Sequence, residues 1–346
     1  MIFDAFLMTA APSVSCPEVE RLARALYGIS ATARTLSSER DGNFHLQTDA
    51  GDQYVFKVSN PAEDPVVTNF QTEALFHIAA MNPALPVQRI KRGLDGRSEM
   101  HVRFGADSSR VVRMFTYLDG VPLNTVERSA AQRRNLAQCL ARIGLALRDF
   151  AHPGADHELA WDIKHASRIR TLFEYIADVE RRSLTERFLD NFEEHALPVL
   201  PALRWQVIHN DLNPNNVLVN VEDHSSVAGI LDFGDMVRAP LINDLAVAAA
   251  YQLSQSPDPF DTAIEFIKAY HAVLPLQKPE VEILFDLIAV RLVIGAAITG
   301  WRARCHPENS SYLLRNNAMF WSRLEHFSTF PRTDVQQRLL RACHLE

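Results

Sequence analysis

The chain has 346 residues, more than one small core needs, and its 47% hydrophobic and 22% charged content is that of an ordinary soluble globular protein built as two lobes or two domains. A net charge of −7, from 35 basic and 42 acidic residues, excludes the basic footprint that nucleic acid or an anionic membrane demands, and is weakly compatible with a cationic substrate. Cys16, Cys139, Cys305 and Cys343 lie far apart with no C-x-x-C pair, so neither a zinc site nor a disulfide framework is expected, and a reducing cytoplasm is the expected location.

At the N-terminus an apolar patch over residues 2–7 is interrupted by Asp4 and has no basic n-region, which argues against a signal peptide. Ser15-Cys16-Pro17-Glu18 predicts a helix start by its capping box and first-turn proline, and Gly28 predicts its stop. Between them Val19, Leu22, Ala23, Leu26 and Tyr27 recur with helical spacing. Phe44, Leu46 and Thr48 then alternate with polar residues, 49–52 form a turn, and 54–58 a partner strand. The loop 37–43, with Gly42 and Asn43 at the mouth of that hairpin, either covers phosphates with its backbone N–H groups or is a plain β-turn. Lys57 sits inside the apolar run Y-V-F-K-V, where a lysine needs a reason, an edge-strand lysine reaching solvent being the bland one. Glu73 follows on a helix whose Phe70, Ala74, Leu75 and Ile78 form an apolar face. Pro83 and Pro86 break that helix, and strands are predicted over 87–90, 100–104 and 110–118, the last ending at Asp119-Gly120.

A long amphipathic helix over 129–150 comes next, with Leu136, Leu140, Ile143, Leu147 and Phe150 on one face and Cys139 beside it. Further helices are expected over 169–180 and 185–196, before Pro198 and Pro201. The stretch 204–236 reads R-W-Q-V-I-H-N-D-L-N-P-N-N-V-L-V-N-V-E-D-H-S-S-V-A-G-I-L-D-F-G-D-M. Its apolar runs flank a polar loop holding His209, Asn210, Asp211, Asn213, Asn215 and Asn216, and the last run ends at Asp232-Phe233-Gly234. Short strands therefore carry Asp211, Asn216 and Asp232 to loop ends, where chemistry is usually placed. Phosphoryl transfer suits them: a carboxylate to accept a hydroxyl proton, which fits Asp211, and hard oxygen ligands for Mg²⁺, which fit Asn216 and Asp232. The order H-x-D-x-x-x-x-N followed by D-F-G is the kinase signature arrangement; either motif alone could be a polar turn. Beyond it, 240–246 opens a helix with Asp244 in its first turn, in a structural role facing the helix dipole. Helices follow over 259–274, 279–304 and 316–327, with a helical tail from 332. The apolar stretch 287–301 carries Arg291, is too short to span a bilayer comfortably, and reads as a buried helix.

Pattern alone thus gives a small sheet-rich lobe, a connecting strand and a larger helical lobe. The motifs just quoted resemble those of the aminoglycoside phosphotransferase family, and the wording around them is most similar to its hydroxylysine kinase branch, homoserine and choline kinases being more distant. The likeness runs over roughly residues 35–325. It implies an α+β, protein-kinase-like bilobal fold, with a nucleotide-binding lobe over residues 1–118 and a helical lobe over residues 119–346 bearing the catalytic loop and the metal motif. By the same resemblance Lys57, paired with Glu73, meets the phosphates of ATP or GTP, and backbone near Phe115, Thr116 and Tyr117 meets the base, Tyr117 being equally readable as core. His209 braces its loop.

The implied activity is Mg²⁺-dependent transfer of the γ-phosphate to a small-molecule hydroxyl on an amino alcohol or a hydroxylysine-like amino acid. Homoserine, choline or an aminoglycoside stand as alternative acceptors, and a catalytically silent nucleotide-binding module as the alternative from another class. The family most often has glycine where Asn210 stands and commonly histidine where Asn213 stands. Protein kinases carry a lysine at the place of Asn213, and no activation segment separates Gly234 from Pro240, so a protein acceptor is not expected. Substrate contacts are sought among Asp235, Trp161, Asp162, Arg291, Trp301, Arg302 and Arg304, because an amino-acid acceptor needs an anion partner and a cation partner, and arginine suits bidentate carboxylate capture. Helix-face arginines are also often solvated, and Trp301 can be core.

Overall fold

The computed structural model describes residues 9, 11–38, 40–104, 109–254, 258, 260–307 and 310–346; the apolar patch over 2–7 lies outside them. Helix α1 (Cys16–Tyr27) starts where Ser15 Oγ accepts the Glu18 N–H and stops at Gly28, whose φ of 67° is the left-handed conformation glycine adopts without strain. Strands β1 (Thr32–Leu36), β2 (Gly42–Gln47) and β3 (Gln53–Val58), helix α2 (Pro65–Met81), and strands β4 (Ile90–Lys91), β5 (Met100–Arg103) and β6 (Ser109–Thr116) complete the sheet-rich lobe. The antiparallel sheet runs β1-β2-β3-β6-β4, with β5 also paired to β6. The sheet differs from expectation in two places: it gains β1, which the sequence reading did not include, and one expected strand shortens. The T-A-R-T-L of β1 lacks a clean apolar alternation, because an edge strand with an open outer face needs none. The strand expected over 87–90 shrinks to Ile90–Lys91, and Val87 instead forms an isolated bridge with Ile230.

Period-2 alternation decides what this sheet offers on each side. Phe44, Leu46, Phe56, Val58, Val112 and Met114 point to one face and form a core with Val19, Leu22, Ala23 and Tyr27 of α1. The residues between them, Asn43, Lys57, Arg113 and Phe115, are left to the opposite face, where Lys57 stands directly across from both Asn43 and Arg113. Two buried or half-buried cations therefore share one face because their strand neighbours fill the other.

After the sheet come β7 (Val121–Pro122) and α3 (Ala130–Ala146). The helix expected over 169–180 is instead a 3-10 stretch, Ile163–Tyr175, capped by Asp162, and the chain restarts as α4 (Val179–Asn191) where Asp178 accepts the Arg181 N–H. Strands β8 (Trp205–Ile208), β9 (Val217–Val219), β10 (Val227–Ile230) and β11 (Val237–Pro240) form two small sheets, β10-β9-β7 and β11-β8. Helices α5 (Leu241–Ala250), α6 (Phe260–His271), α7 (Lys278–Glu282), α8 (Leu284–Cys305), α9 (Ser310–Leu313), α10 (Asn317–Phe327) and α11 (Arg332–Ala342) follow. Every residue of α5 is buried, and α8 is the central core helix, touching the 3-10 stretch, α4, α5 and α10. Cys139 is buried beside that core.

Phe320 of α10 packs onto α8 at Gly295, where a Cβ would lie 2.6 Å from its Cζ. Alanine gains about 1 kcal/mol in helix propensity, but overpacking against a buried ring costs about 1–3 kcal/mol. Gly295→Ala is therefore expected to lower the urea midpoint; a raised midpoint would show that the ring retreats freely.

Candidate active site

The polar loop between β8 and β9 is held from below by α5. Asp244 is buried in the first turn of that helix, and its two carboxylate oxygens accept the backbone N–H groups of Asn210 at 2.8 Å and His209 at 3.4 Å. Burial raises its pKa, opposed by His209 and by those two N–H groups. The grip lets Asn210 take a φ of 64°, a left-handed conformation open to glycine and tolerated by asparagine. His209 is fully buried; its Nδ1 accepts the Asp211 N–H at 3.2 Å, its Nε2 lies 3.0 Å from the Leu231 carbonyl, and its ring meets Phe233 edge-on at 4.7 Å. An Nε2–H tautomer satisfies both contacts. The histidine thus ties the loop to the chain just before Asp232, which itself has a φ of 55° and accepts the Gly234 N–H at 3.2 Å.

Asp211 stands at the floor of a cavity of ≈ 670 Å³ between the sheet and the helices. Asn213 and Asn216 donate to its Oδ2 at 2.9 and 2.7 Å, Asn216 also donates to its backbone carbonyl at 3.0 Å, and Arg291 Nη2 donates to Oδ1 at 3.3 Å. Burial, with Asp235 and Asp232 nearby, pushes this carboxyl up to about 7, against Arg291 and the Asn213 hydrogen bond. Arg291 is only 4% exposed in its side chain, lies over the Trp161 ring at 5.4 Å and donates to the Trp161 carbonyl.

The roof of the cavity is the sheet face bearing Lys57 and Arg113. Lys57 Nζ lies 2.7 Å from Asp41 Oδ2. Burial works to raise Asp41, but the Lys57 ammonium, Arg40 and the Asn60 N–H hold its carboxyl below the usual range. Arg113 donates to Gln71 Oε1 at 3.0 Å, the Thr68 carbonyl at 3.1 Å and Thr72 Oγ1 at 3.3 Å. Across the cleft, Arg40 Nη2 reaches Asp235 Oδ1 at 2.5 Å, and Gln71 Nε2 reaches the Gly234 carbonyl at 3.3 Å.

Of the residues singled out from the sequence, Asn43, Lys57, Phe115, Tyr117, Trp161, Asp211, Asn216, Asp232, Asp235, Arg291 and Arg302 line this one cavity. Others do not. Glu73 is exposed on the outer face of α2, so the expected pairing with Lys57 does not occur: Gln71 and Leu75 occupy the inward face, and Asp41 takes the lysine. Gly42 is consumed in the ladder opposite Val58. Thr116 turns to Arg89, donating its N–H to the Arg89 carbonyl at 2.8 Å and accepting the Arg89 N–H on Oγ1 at 2.9 Å. Asp162 is fully buried, capping the 3-10 stretch and bound to Lys164. Trp301 packs half-buried against the core, and Arg304 is exposed. The sequence reading missed Arg40, Asp41, Gln71, Gln88, Arg113, Tyr251 and Arg315, all of which line the cavity. Arg113 carried the same signal as Lys57, a cation inside an apolar strand.

Two consequences can be measured. Asp244→Ala leaves two buried N–H groups unpaired, and is expected to cost about 2–3 kcal/mol in urea unfolding, with the loop misplaced and turnover lost. Glu63, half-buried near Asp41, is raised by burial to about 7 from 4.5, with Asp41 adding to the rise and Arg40, Lys57 and Arg113 opposing it. A carboxyl raised in the folded state contributes stability that is full below its unfolded pKa and is lost as pH climbs through the folded one. Glu63→Gln is therefore expected to flatten the decline of melting temperature between pH 4.5 and about 7 and to exceed the parent protein above it; parallel profiles would contradict this.

With this geometry in place, the chain can be set beside known proteins. Residues 32–287 match the model of the phosphotransferase enzyme family, APH. Hydroxylysine kinase of Mus musculus is 25% identical over 351 residues, spanning 95% of this chain and 93% of the relative. The Danio rerio hydroxylysine kinase is 25% identical over 340 residues, spanning 94% and 95%. Among solved structures, an amicoumacin kinase in complex with AMP-PNP, Ca²⁺ and Ami aligns with a TM-score of 0.68 at 12% identity, covering 93% of this chain and 97% of that one. A microcompartment-associated aminopropanol kinase aligns with a TM-score of 0.65 at 16% identity, covering 90% and 98%. These structural likenesses establish the protein-kinase-like fold. With 32–287 of its 346 residues matched, the chain belongs to the APH phosphotransferase family, as a nucleotide-using phosphotransferase that acts on a small-molecule hydroxyl.

Proposed function

We propose that the protein transfers the γ-phosphoryl group of ATP or GTP, with Mg²⁺, to a hydroxyl of a hydroxylysine-like amino acid or amino alcohol, and that its lobes meet after residue 118. The observation that carries the reading is the convergence of Asp211, Asn216 and Asp232 on one wall of the cavity with Lys57 on the other. Asp211 accepts the acceptor's proton: Asn213 and Asn216 hold one of its oxygens and Arg291 the other, which fixes the carboxylate at the floor of the cavity where a hydroxyl would meet it. Lys57 faces the phosphates from the roof. The metal ligands fit a small hard cation: Asn216 uses its NH₂ on Asp211, which leaves the amide oxygen as the ligand-capable end, and Asp232 is exposed to the cavity. Magnesium, which takes one or two carboxylates plus waters and phosphate oxygens, would supply neutralisation of phosphate charge there.

The relatives named hydroxylysine kinase support the acceptor class. The helical end of the cavity supports it as well, since Trp161, Arg291 and Arg302 offer an aromatic wall and guanidinium groups suited to a carboxylate.

The test is nucleoside diphosphate release with Mg-ATP and Mg-GTP against hydroxylysine, homoserine, choline, ethanolamine and aminoglycosides. Asp211→Asn is expected to lose about 10²–10⁴-fold in kcat while keeping nucleotide affinity, and Asp232→Ala to lose metal-dependent nucleotide binding. Undiminished turnover in Asp211→Asn would remove Asp211 as the base.

A further inference from the structure

A lysine that faces phosphates must be held by an anion, or its long side chain spends its time elsewhere. On the inward face of α2, where such an anion would stand, this chain has Gln71, while Glu73 faces solvent. The lysine's partner comes from the other direction. Asp41 immediately precedes β2, on the hairpin whose second strand carries Lys57, and its Oδ2 meets Nζ at 2.7 Å. The carboxylate is fixed independently at its other end: Oδ1 accepts the Asn60 N–H at 2.8 Å, and the Asp41 N–H donates to Ser38 Oγ at 3.2 Å. Asn60 also donates from Nδ2 to the Arg40 carbonyl at 2.8 Å. Both side chains of the Lys57–Asp41 pair are mostly buried, at 14% and 15% exposure.

The attachment of α2 to the sheet is wired separately. Arg113 stands directly across from Lys57 on β6, is 2% exposed, and donates to Gln71, Thr68 and Thr72 of the helix. In this arrangement the strand gives the cation and the helix only accepts. Like charges directly opposite on neighbouring strands are destabilising. An anion beside them offsets the repulsion, and Asp41 is placed to act on both.

We propose that Asp41 is the positioning residue for Lys57, and that α2 has no part in holding the lysine because its link to the sheet passes through Arg113 and Gln71. The proposal rests on the reading of Lys57 as the phosphate-facing cation. A carboxylate bound at both oxygens cannot move aside for a phosphate without breaking two hydrogen bonds, so Asp41 acts as holder and not as a stand-in for the nucleotide. Because Asp41 belongs to the loop 37–43, and its neighbour Arg40 reaches Asp235 at 2.5 Å, the seating of that loop and the placement of the lysine become a single event.

The experiment measures Mg-nucleotide affinity, KM and kcat on the full chain carrying Asp41→Asn, Asp41→Glu, Glu73→Gln or Lys57→Met, with the melting temperature of each nucleotide-free variant as a folding control. Asp41→Asn is expected to raise the nucleotide KM about tenfold or more, the scale of a lost charged hydrogen bond, with the acceptor KM unchanged. Asp41→Glu is expected to recover part of that loss, as a merely structural carboxylate in so tight a corner would not, and Glu73→Gln to match the parent protein. The proposal is overturned if Asp41→Asn binds nucleotide as tightly as the parent, or more tightly, while Lys57→Met is defective, or if Glu73→Gln is as defective as Lys57→Met. Normal nucleotide binding by Lys57→Met would instead remove the assigned role of the lysine, and the proposal with it.

Discussion

One buried carboxylate underlies the geometry of the helical wall of the cavity. Asp244 accepts two consecutive backbone N–H groups from the loop above it, and that grip fixes the left-handed corner at Asn210. The corner aims Asp211 into the cavity and sets His209 against the Leu231 carbonyl, one residue before Asp232. Asp211 and Asp232, on either side of the β9–β10 hairpin, are thereby referred to the same helix terminus. A buried charge is costly in isolation; here the N–H dipoles it receives are themselves groups that would otherwise be buried unpaired. Each side resolves the other's desolvation.

The two walls of the cavity differ in charge. Asp211, Asp232 and Asp235 on the helical wall are matched by Arg291, Arg302 and Arg315, while the sheet side sets Arg40, Lys57 and Arg113 against Asp41. The sheet side is therefore net cationic, and the ties between the walls, Arg40 with Asp235 and Gln71 with the Gly234 carbonyl, are polar. A highly charged ligand can replace such interactions with its own, whereas an apolar seam would resist it. The sheet's contribution follows from strand alternation: filling one face with Phe56, Val58, Val112 and Met114 forces Lys57 and Arg113 onto the other.

What the sequence disclosed, and what it hid, divides along a physical line. Asp211, Asn216 and Asp232 were legible because their order is set within one short stretch and short strands bring loop ends together. The fold class followed from the switch between period-2 and period-3.6 patterns. Glu73 failed for a reason already present in the pattern: at 100° per residue, the face defined by Phe70, Ala74, Leu75 and Ile78 puts residue 73 on the far side of α2. Asp41 carried no local signal at all, since its meeting with Lys57 depends on hairpin register. Asp162 and Thr116 were right in type for a polar site, but Asp162 is spent locally, capping the 3-10 stretch and pairing with Lys164 two residues on, and Thr116 is committed to Arg89, a partner that no local spacing reveals.

The small sheet β10-β9-β7 has a mechanical consequence. Strand β7, Val121–Pro122, pairs with Val219 and Leu218 of β9. Earlier, Val87 bridges Ile230 of β10, and the Pro86 carbonyl accepts the Ile230 N–H at 2.7 Å. The hairpin that separates Asp211 from Asp232 is thus met at both its strands by chain from its N-terminal side, β7 at β9 and Val87 at β10. Opening the cleft at the outer lip breaks side-chain contacts such as Arg40 with Asp235, whereas opening it beside the hairpin breaks the backbone bond from Ile230 to Pro86, so rotation is easiest about that ribbon.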